Sequence, residues 1–173
     1  MNNRDAIKSL YNKYANDIYR YARLTLRDST EAHDVVQEVF FRAFKSWHSF
    51  RHDASERTWL MSIARNYAFD LLRKRQSDRE FVSNYTPPCL SDDQTRVETA
   101  IVIEEALSGL KETYQQVFIL RHVQGLSVSD VAKILGWSQG KVRITDLRAL
   151  TKLRERLSHG KEAFGQNEFK PQN

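Results

Sequence analysis

SVSDVAKILGWSQGKV, residues 127–142, consists of two short amphipathic runs hinged at Gly136 and Trp137. Ser127 stands three residues before Asp130, the spacing of a capping box, in which a hydroxyl and a carboxylate satisfy free amides at the start of a helix. Val131, Ala132, Ile134 and Leu135 supply the buried side of that helix, and the small Ala132 lets a second helix approach closely. Gly136 takes a backbone conformation forbidden to bulkier residues at a helix end, Trp137 covers the corner, and Ser138 caps the second helix. The pattern predicts helix, turn, helix.

The helix that begins at Ser138 is expected to bury Val142, Leu147, Leu150, Leu153 and Leu157. It also carries Lys141, Arg143, Arg148, Lys152, Arg154 and Arg156 against only Asp146 and Glu155. In a helix-turn-helix the second helix enters the major groove N-terminus first, which places Gln139, Lys141 and Arg143 near base edges and phosphates. A basic amphipathic helix in a bundle would explain the charge but not the spacing of Ala132, Gly136 and Val142.

The whole chain is consistent with a polyanionic partner. It has 173 residues, enough for one ordinary domain or two small ones, and a net charge of +5. No run of about 18 apolar residues offers a membrane span. The N-terminal stretch lacks the apolar core and small-residue cleavage site of a secretory signal, so the expected location is the cytoplasm. Cys89 is the only cysteine, which excludes a disulfide framework and a cysteine-rich zinc site. Cys89 reads as a free thiol rather than a redox sensor.

Charge divides the chain. Residues 1–75 hold 14 Lys and Arg against 9 Asp and Glu, whereas residues 76–97 hold 2 against 4. That acidic stretch, QSDREFVSNYTPPCLSDDQTRV, has no helical or strand period and contains Pro87 and Pro88, so it reads as a flexible linker. No alternating strand pattern of useful length occurs elsewhere. The expected fold is all-α: a helical domain over 1–75, the linker over 76–97, a second helical domain over 98–159 containing the helix-turn-helix, and a fraying tail over 160–173.

In the first body, Asp5 to Leu26 form a helix rich in packing aromatics. The next helix places Ala32, Val35, Val36, Val39, Phe40, Ala43, Phe44 and Trp47 on one face. Its other face carries Asp34, Gln37, Glu38 and Phe41, and a large aromatic turned to water points to a partner. After the loop RHDASER, residues 51–57, comes a third helix whose apolar pairs recur every four residues from Trp59/Leu60 to Leu71/Leu72. Its remaining side holds Arg65, Asn66, Asp70, Arg73 and Lys74, with Arg51 and Arg57 in the loop before it. Arg and Lys neutralise phosphates and Asn pairs with base edges, so this face suits nucleic acid. Arg73 and Lys74 read equally well as cations complementing a helix C-terminus. The second body opens with apolar Ile101, Val102, Ala106, Leu107 and Leu110, followed by Tyr114, Val117, Phe118 and Leu120.

Taken in order, these motifs resemble the extracytoplasmic-function sigma factors of the sigma-70 family, over roughly residues 5–158. DVVQEVFFRAFKSWHSF is similar to the segment with which that family docks on the clamp of bacterial RNA polymerase core. The resemblance thereby implies polymerase contacts for Asp34, Gln37, Glu38 and Phe41. FRHDASERTWLMSIARNYAFDLLRKR resembles the loop and helix that open and read the −10 element. There it implies that the loop from Arg51 to Arg57 meets an extruded base with Asn66 beside it; Arg65, Arg73 and Lys74, on the face already read as suited to nucleic acid, are grouped with these as −10 contacts. LRHVQGLSVSDVAKILGWSQGKVRITDLRAL corresponds to the −35 reader, with Arg121, Arg143 and Arg148 as DNA contacts beside Ser138, Gln139 and Lys141.

The resemblance also implies transcription initiation with polymerase core and promoter DNA as partners, control by an anti-sigma factor, and no catalysis, metal or cofactor. Three positions depart from the family pattern: Lys141 replaces a usual threonine, Thr145 a common basic residue and Asp146 an apolar one. Asp146 is expected to pair with Lys152 or Arg143, or to face a cytosine amine. Two other classes compete with this reading. A stand-alone helix-turn-helix regulator would bind DNA without polymerase. A nuclease built on His33, Asp34 and Glu38 is disfavoured because the first two are adjacent and point different ways.

Overall fold

The computed structural model describes residues 2–81 and 96–165, and side-chain surroundings for 2–79 and 101–160. Every regular element among them is helical: α1 (Asn3–Leu26), α2 (Ser29–Ser46), α3 (Glu56–Phe81), α4 (Arg96–Ser108), α5 (Glu112–Phe118), α6 (Val128–Leu135) and α7 (Gln139–Gly165). A short 3-10 turn, Trp47–Ser49, comes after α2, and one π-helical turn, Ile119–Val123, extends α5. Pro87, Pro88 and Cys89 lie outside the described residues.

Local chemistry sets the element ends. Arg27 takes a left-handed conformation (φ 57) that stops α1, and one residue later the Asp28 carboxylate accepts the Glu31 amide at 2.8 Å to start α2. The tight reversal makes α1 and α2 an antiparallel pair. Helix α3 closes over them through Leu60, Met61, Ala64 and Ala68, all fully buried. It runs on to Phe81, beyond the point where the charge pattern places the linker. Near that point Arg75 donates to the Leu26 carbonyl at 2.9 Å and pairs with Glu31, which ties α3 to the α1–α2 turn.

In the C-terminal half the helix-turn-helix folds as its residues dictate. The Ser127 hydroxyl accepts the Asp130 amide at 3.0 Å, Gly136 is left-handed (φ 68), and the Ser138 hydroxyl accepts the Lys141 amide at 3.2 Å. Helix α7 buries Val142, Thr145, Ala149 and Leu153, a stripe stepping by three or four residues. Leu147 falls off that stripe and is 68% exposed, contrary to the expected core position. Phe44 and Val102, also expected on buried faces, are 47% and 44% exposed. Arg156 is drawn back into the fold, donating to the Ala106 carbonyl at 3.0 Å and so joining α7 to α4.

The two helical halves pack against each other. One apolar cluster runs from Ile18, Val35, Val39 and Leu60 through to Leu120, Val131 and Val142. Polar bonds cross the same seam: Tyr21 Oη donates to Gln116 Oε1 at 2.5 Å, and Gln124 Nε2 donates to the Asp17 carbonyl at 3.0 Å. Helix α1 is thus the wall shared by both halves.

Candidate nucleic-acid and polymerase interfaces

Three surfaces hold the residues singled out from the sequence. The first is the outer face of α2. Asp34 and Gln37 are exposed, Glu38 accepts from Arg42 Nε at 2.6 Å, and Phe41 is 52% exposed with Lys45 Nζ 4.1 Å above its ring. Phe44 lies one turn on and is also exposed, so α2 presents two solvated phenyl rings where the sequence indicated one. Two such rings are unfavourable in water unless a partner covers them. His33 packs 4.6 Å from the Tyr19 ring, and Glu38 is held by Arg42, so the nuclease grouping is not assembled. Among the described residues no cluster of three His, Cys, Asp or Glu side chains could hold a metal.

The second surface is built by the loop before α3. His52 adopts φ 58, a conformation that costs a non-glycine residue on the order of 1 kcal/mol. It turns the loop so that Phe50 stacks on Trp59, with centroids 4.6 Å apart and planes 25° from parallel. Trp47 adds a third ring 5.8 Å from Phe50. Beside this stack opens a cleft of ≈ 280 Å³, lined by Phe50, Arg51, Asp53, Trp59, Ser62 and Lys133. Phe50 and Trp59 are not separable from core positions in the sequence, because aromatic content alone does not tell a packed ring from a stacking platform, and Ser62 carries no signal there at all.

Along α3, Arg65 stacks over Phe69 at 4.4 Å and reaches Asn66 Oδ1 at 3.4 Å, leaving Asn66 exposed. Arg73 pairs with Asp70 at 2.9 Å on the surface, and Lys74 and Arg51 are exposed. Because α3 continues to Phe81, Arg73 and Lys74 lie inside the helix, not in its last turn, and complementing the helix dipole does not account for them. Arg57 is engaged: its Nε donates to Asp17 Oδ2 at 3.0 Å and its Nη2 to the Gln124 carbonyl at 2.6 Å. Lys133 of α6 donates to the Asp53 carbonyl at 3.2 Å, so the C-terminal half covers one rim of the cleft.

The third surface is the start of α7. Gln139, Lys141, Arg143 and Arg148 are exposed, as is the capping residue Ser138. Arg143 donates to Gln139 Oε1 at 3.3 Å, and Lys141 Nζ sits 4.0 Å over the Trp137 ring at the turn. Arg121 is turned inward, donating to the Leu126 carbonyl at 2.6 Å. Asp146 pairs with neither Lys152 nor Arg143; its Oδ1 lies 2.7 Å from His122 Nε2 and its Oδ2 3.6 Å from Arg121 Nε. Lys152 pairs instead with Glu155 at 3.3 Å. Thr145, one of the three departures noted above, is buried on the inner face of α7.

Two helical halves with this loop, cleft and helix-turn-helix define a two-part DNA-binding protein, and sequence comparison agrees. Residues 10–78 match the family model for Sigma-70 region 2 and residues 100–153 that for Sigma-70, region 4. The ECF RNA polymerase sigma factor SigX of Bacillus subtilis is 31% identical, over 96% of this chain and 91% of its own. SigM of Mycobacterium tuberculosis, also an ECF RNA polymerase sigma factor, is 31% identical over 90% of this chain and 79% of its own. Among solved structures, the sigma factor RpoE bound to the anti-sigma factor NepR from Bartonella quintana superposes with a TM-score of 0.78 at 23% identity, covering 87% of this chain and 96% of that one. CnrH in complex with the cytosolic domain of CnrY gives 0.72 at 26% identity, covering 90% of each chain. The chain belongs to the sigma-70 family, in its extracytoplasmic-function group.

Proposed function

We propose that this chain is a transcription initiation factor that docks on bacterial RNA polymerase core and directs it to promoters with −10 and −35 elements. The observation that carries the reading is the pairing of an aromatic-walled cleft on the N-terminal half with a basic helix-turn-helix on the C-terminal half. Phe41, with Asp34, Gln37 and Glu38 around it, is the polymerase contact. An extruded −10 base enters the cleft beside Phe50 and Trp59, Arg51 and Arg57 neutralise its phosphates, and Asn66 reads its edge. Capturing an unstacked base shifts the duplex equilibrium by a few kcal/mol, so strand opening needs no hydrolysis by this chain. Arg65, Arg73 and Lys74 track the backbone. Ser138, Gln139, Lys141, Arg143 and Arg148 meet the −35 element in the major groove.

Elements at −10 and −35 lie roughly 25 base pairs apart, about 85 Å at 3.4 Å per pair. Packed as they are, α6 on α3, the two readers cannot span that length, so the halves part when the promoter is bound. Each half alone grips DNA weakly and in a salt-dependent manner, and polymerase holds them at the spacing that makes the second contact effectively intramolecular. An anti-sigma factor would act by covering the exposed rings of α2 or by holding the halves together. Run-off transcription with purified core polymerase and a genomic promoter library tests the reading. It stands if the chain programs initiation at a shared pair of elements, and it fails if the chain protects DNA equally well without polymerase. Among the described residues no helix is long and apolar enough to cross a membrane, and the cytoplasm is the compartment this function requires.

A further inference from the structure

In the first turns of α7, the helix read as meeting the −35 element, the carboxylate Asp146 stands among cations, and it is committed to the protein. Asp146 is only 14% exposed in its side chain although it lies two residues from the exposed Ile144 and one from the exposed Leu147. Its two oxygens divide between neighbours on the π-helical turn before the helix-turn-helix: Oδ1 at 2.7 Å from His122 Nε2, Oδ2 at 3.6 Å from Arg121 Nε. Both neighbours are held from their other sides. Arg121 Nη1 donates to the Leu126 carbonyl at 2.6 Å, and the His122 ring packs 5.1 Å from that of Phe118. Arg121 Nε has no hydrogen-bond partner and is shut away from water, so the carboxylate is the nearest group that offsets its charge.

We propose that Asp146 is a specificity-determining positioning residue of the −35 reader, retaining Arg121 and His122 on the protein so that only Ser138 and the side chains of α7 face the −35 DNA. The inference rests on the reading of α7 as the −35 contact. Each phosphate a protein neutralises strengthens binding to every sequence alike and adds about 0.9 to the slope of log K against log salt. Base contacts alone discriminate. Withholding Arg121 therefore lowers affinity for all DNA while leaving Gln139, Lys141 and Arg143 to decide between sequences. The same clasp sets the rotation of α7 about its axis, since it joins the flank of α7 to the segment preceding the turn.

The test uses full-length variants assembled with core polymerase on a promoter recovered by run-off, and on the same promoter with its −35 element replaced. Promoter affinity is measured across a salt series. Asp146→Asn, nearly isosteric, is expected to bind both DNAs severalfold more tightly, to steepen the salt slope by roughly one unit, and to narrow the gap between intact and replaced −35 elements. In an Arg121→Gln background Asp146→Asn should produce neither the gain nor the steeper slope, and Asp146→Glu, which keeps the charge, should restore wild-type behaviour. An Asp146→Asn slope equal to wild type, or a change of the same size in the Arg121→Gln background, would overturn the proposal. If wild-type holoenzyme does not itself distinguish the two promoters, the −35 assignment of α7 fails, a different result from failure of the Asp146 assignment. Thermal melts of each variant separate loss of fold from loss of the clasp.

Discussion

Tyr21 and Gln116, 95 residues apart, meet across the seam between the two halves, the phenol donating to the amide oxygen at 2.5 Å in a fully buried setting. Gln116 Nε2 completes the link by donating to Thr25 Oγ1 at 3.3 Å. Removing the phenol leaves a buried acceptor without its donor, which typically costs about 1–3 kcal/mol. Tyr21→Phe should therefore lower the urea midpoint without changing the slope of the transition. Tyr21→Phe with the same midpoint as wild type would show that the halves do not close on this bond.

Burial raises the pKa of the same phenol well above its ordinary value, because ionisation would place a charge in the apolar seam. Above about pH 10 an unfolded chain loses this proton while the folded chain keeps it, so stability falls as pH rises. The fall measured from pH 9 to 11 should be steeper in wild type than in Tyr21→Phe, and equal profiles would mean that the phenol does not titrate on unfolding.

Arg57 can reach DNA only by leaving Asp17 and Gln124. Gln124→Ala removes the amide that donates to the Asp17 carbonyl and the side-chain oxygen 3.2 Å from Arg57 Nη2. The expected outcome is a more open free protein, seen as a larger radius of gyration in small-angle scattering, with the helical content unchanged. An unaltered scattering profile would mean that the apolar seam alone keeps the halves together.

Asn66 and Phe41 occupy different surfaces, and their variants should separate two steps of initiation. Asn66→Ala is expected to reduce open-complex formation about tenfold, in line with the 1–3 kcal/mol of a good base contact, while polymerase binding stays intact. Phe41→Ala should do the reverse, weakening polymerase binding by about 2 kcal/mol, the scale of an interface hot spot. Permanganate footprinting reads the first and a polymerase titration the second. Equal loss of both in either variant contradicts the division of labour.

Gly136 sits at φ 68, where a Cβ is strained although nothing crowds the space around it. Gly136→Ala should cost about 1–2 kcal/mol through backbone conformation alone. A melting temperature unchanged from wild type would mean that the turn relaxes to another geometry.

What the sequence determined by itself was local. Ser127 with Asp130, Gly136 and Ser138 specify the two ends of the helix-turn-helix through hydrogen bonds spanning four residues or fewer, and the apolar stripes of α2 and α3 come from the helical period. The cleft residues Phe50, Trp59 and Lys133, the exposure of Phe44 and Leu147, and the pairing of Asp146 with His122 were decided only by tertiary structure. So was the seam itself. Its polar bonds join Gln116 to Tyr21 and Gln124 to Asp17, residues far apart in the chain, and a buried amide that finds its partner across a domain boundary leaves no periodic trace in the sequence that encodes it.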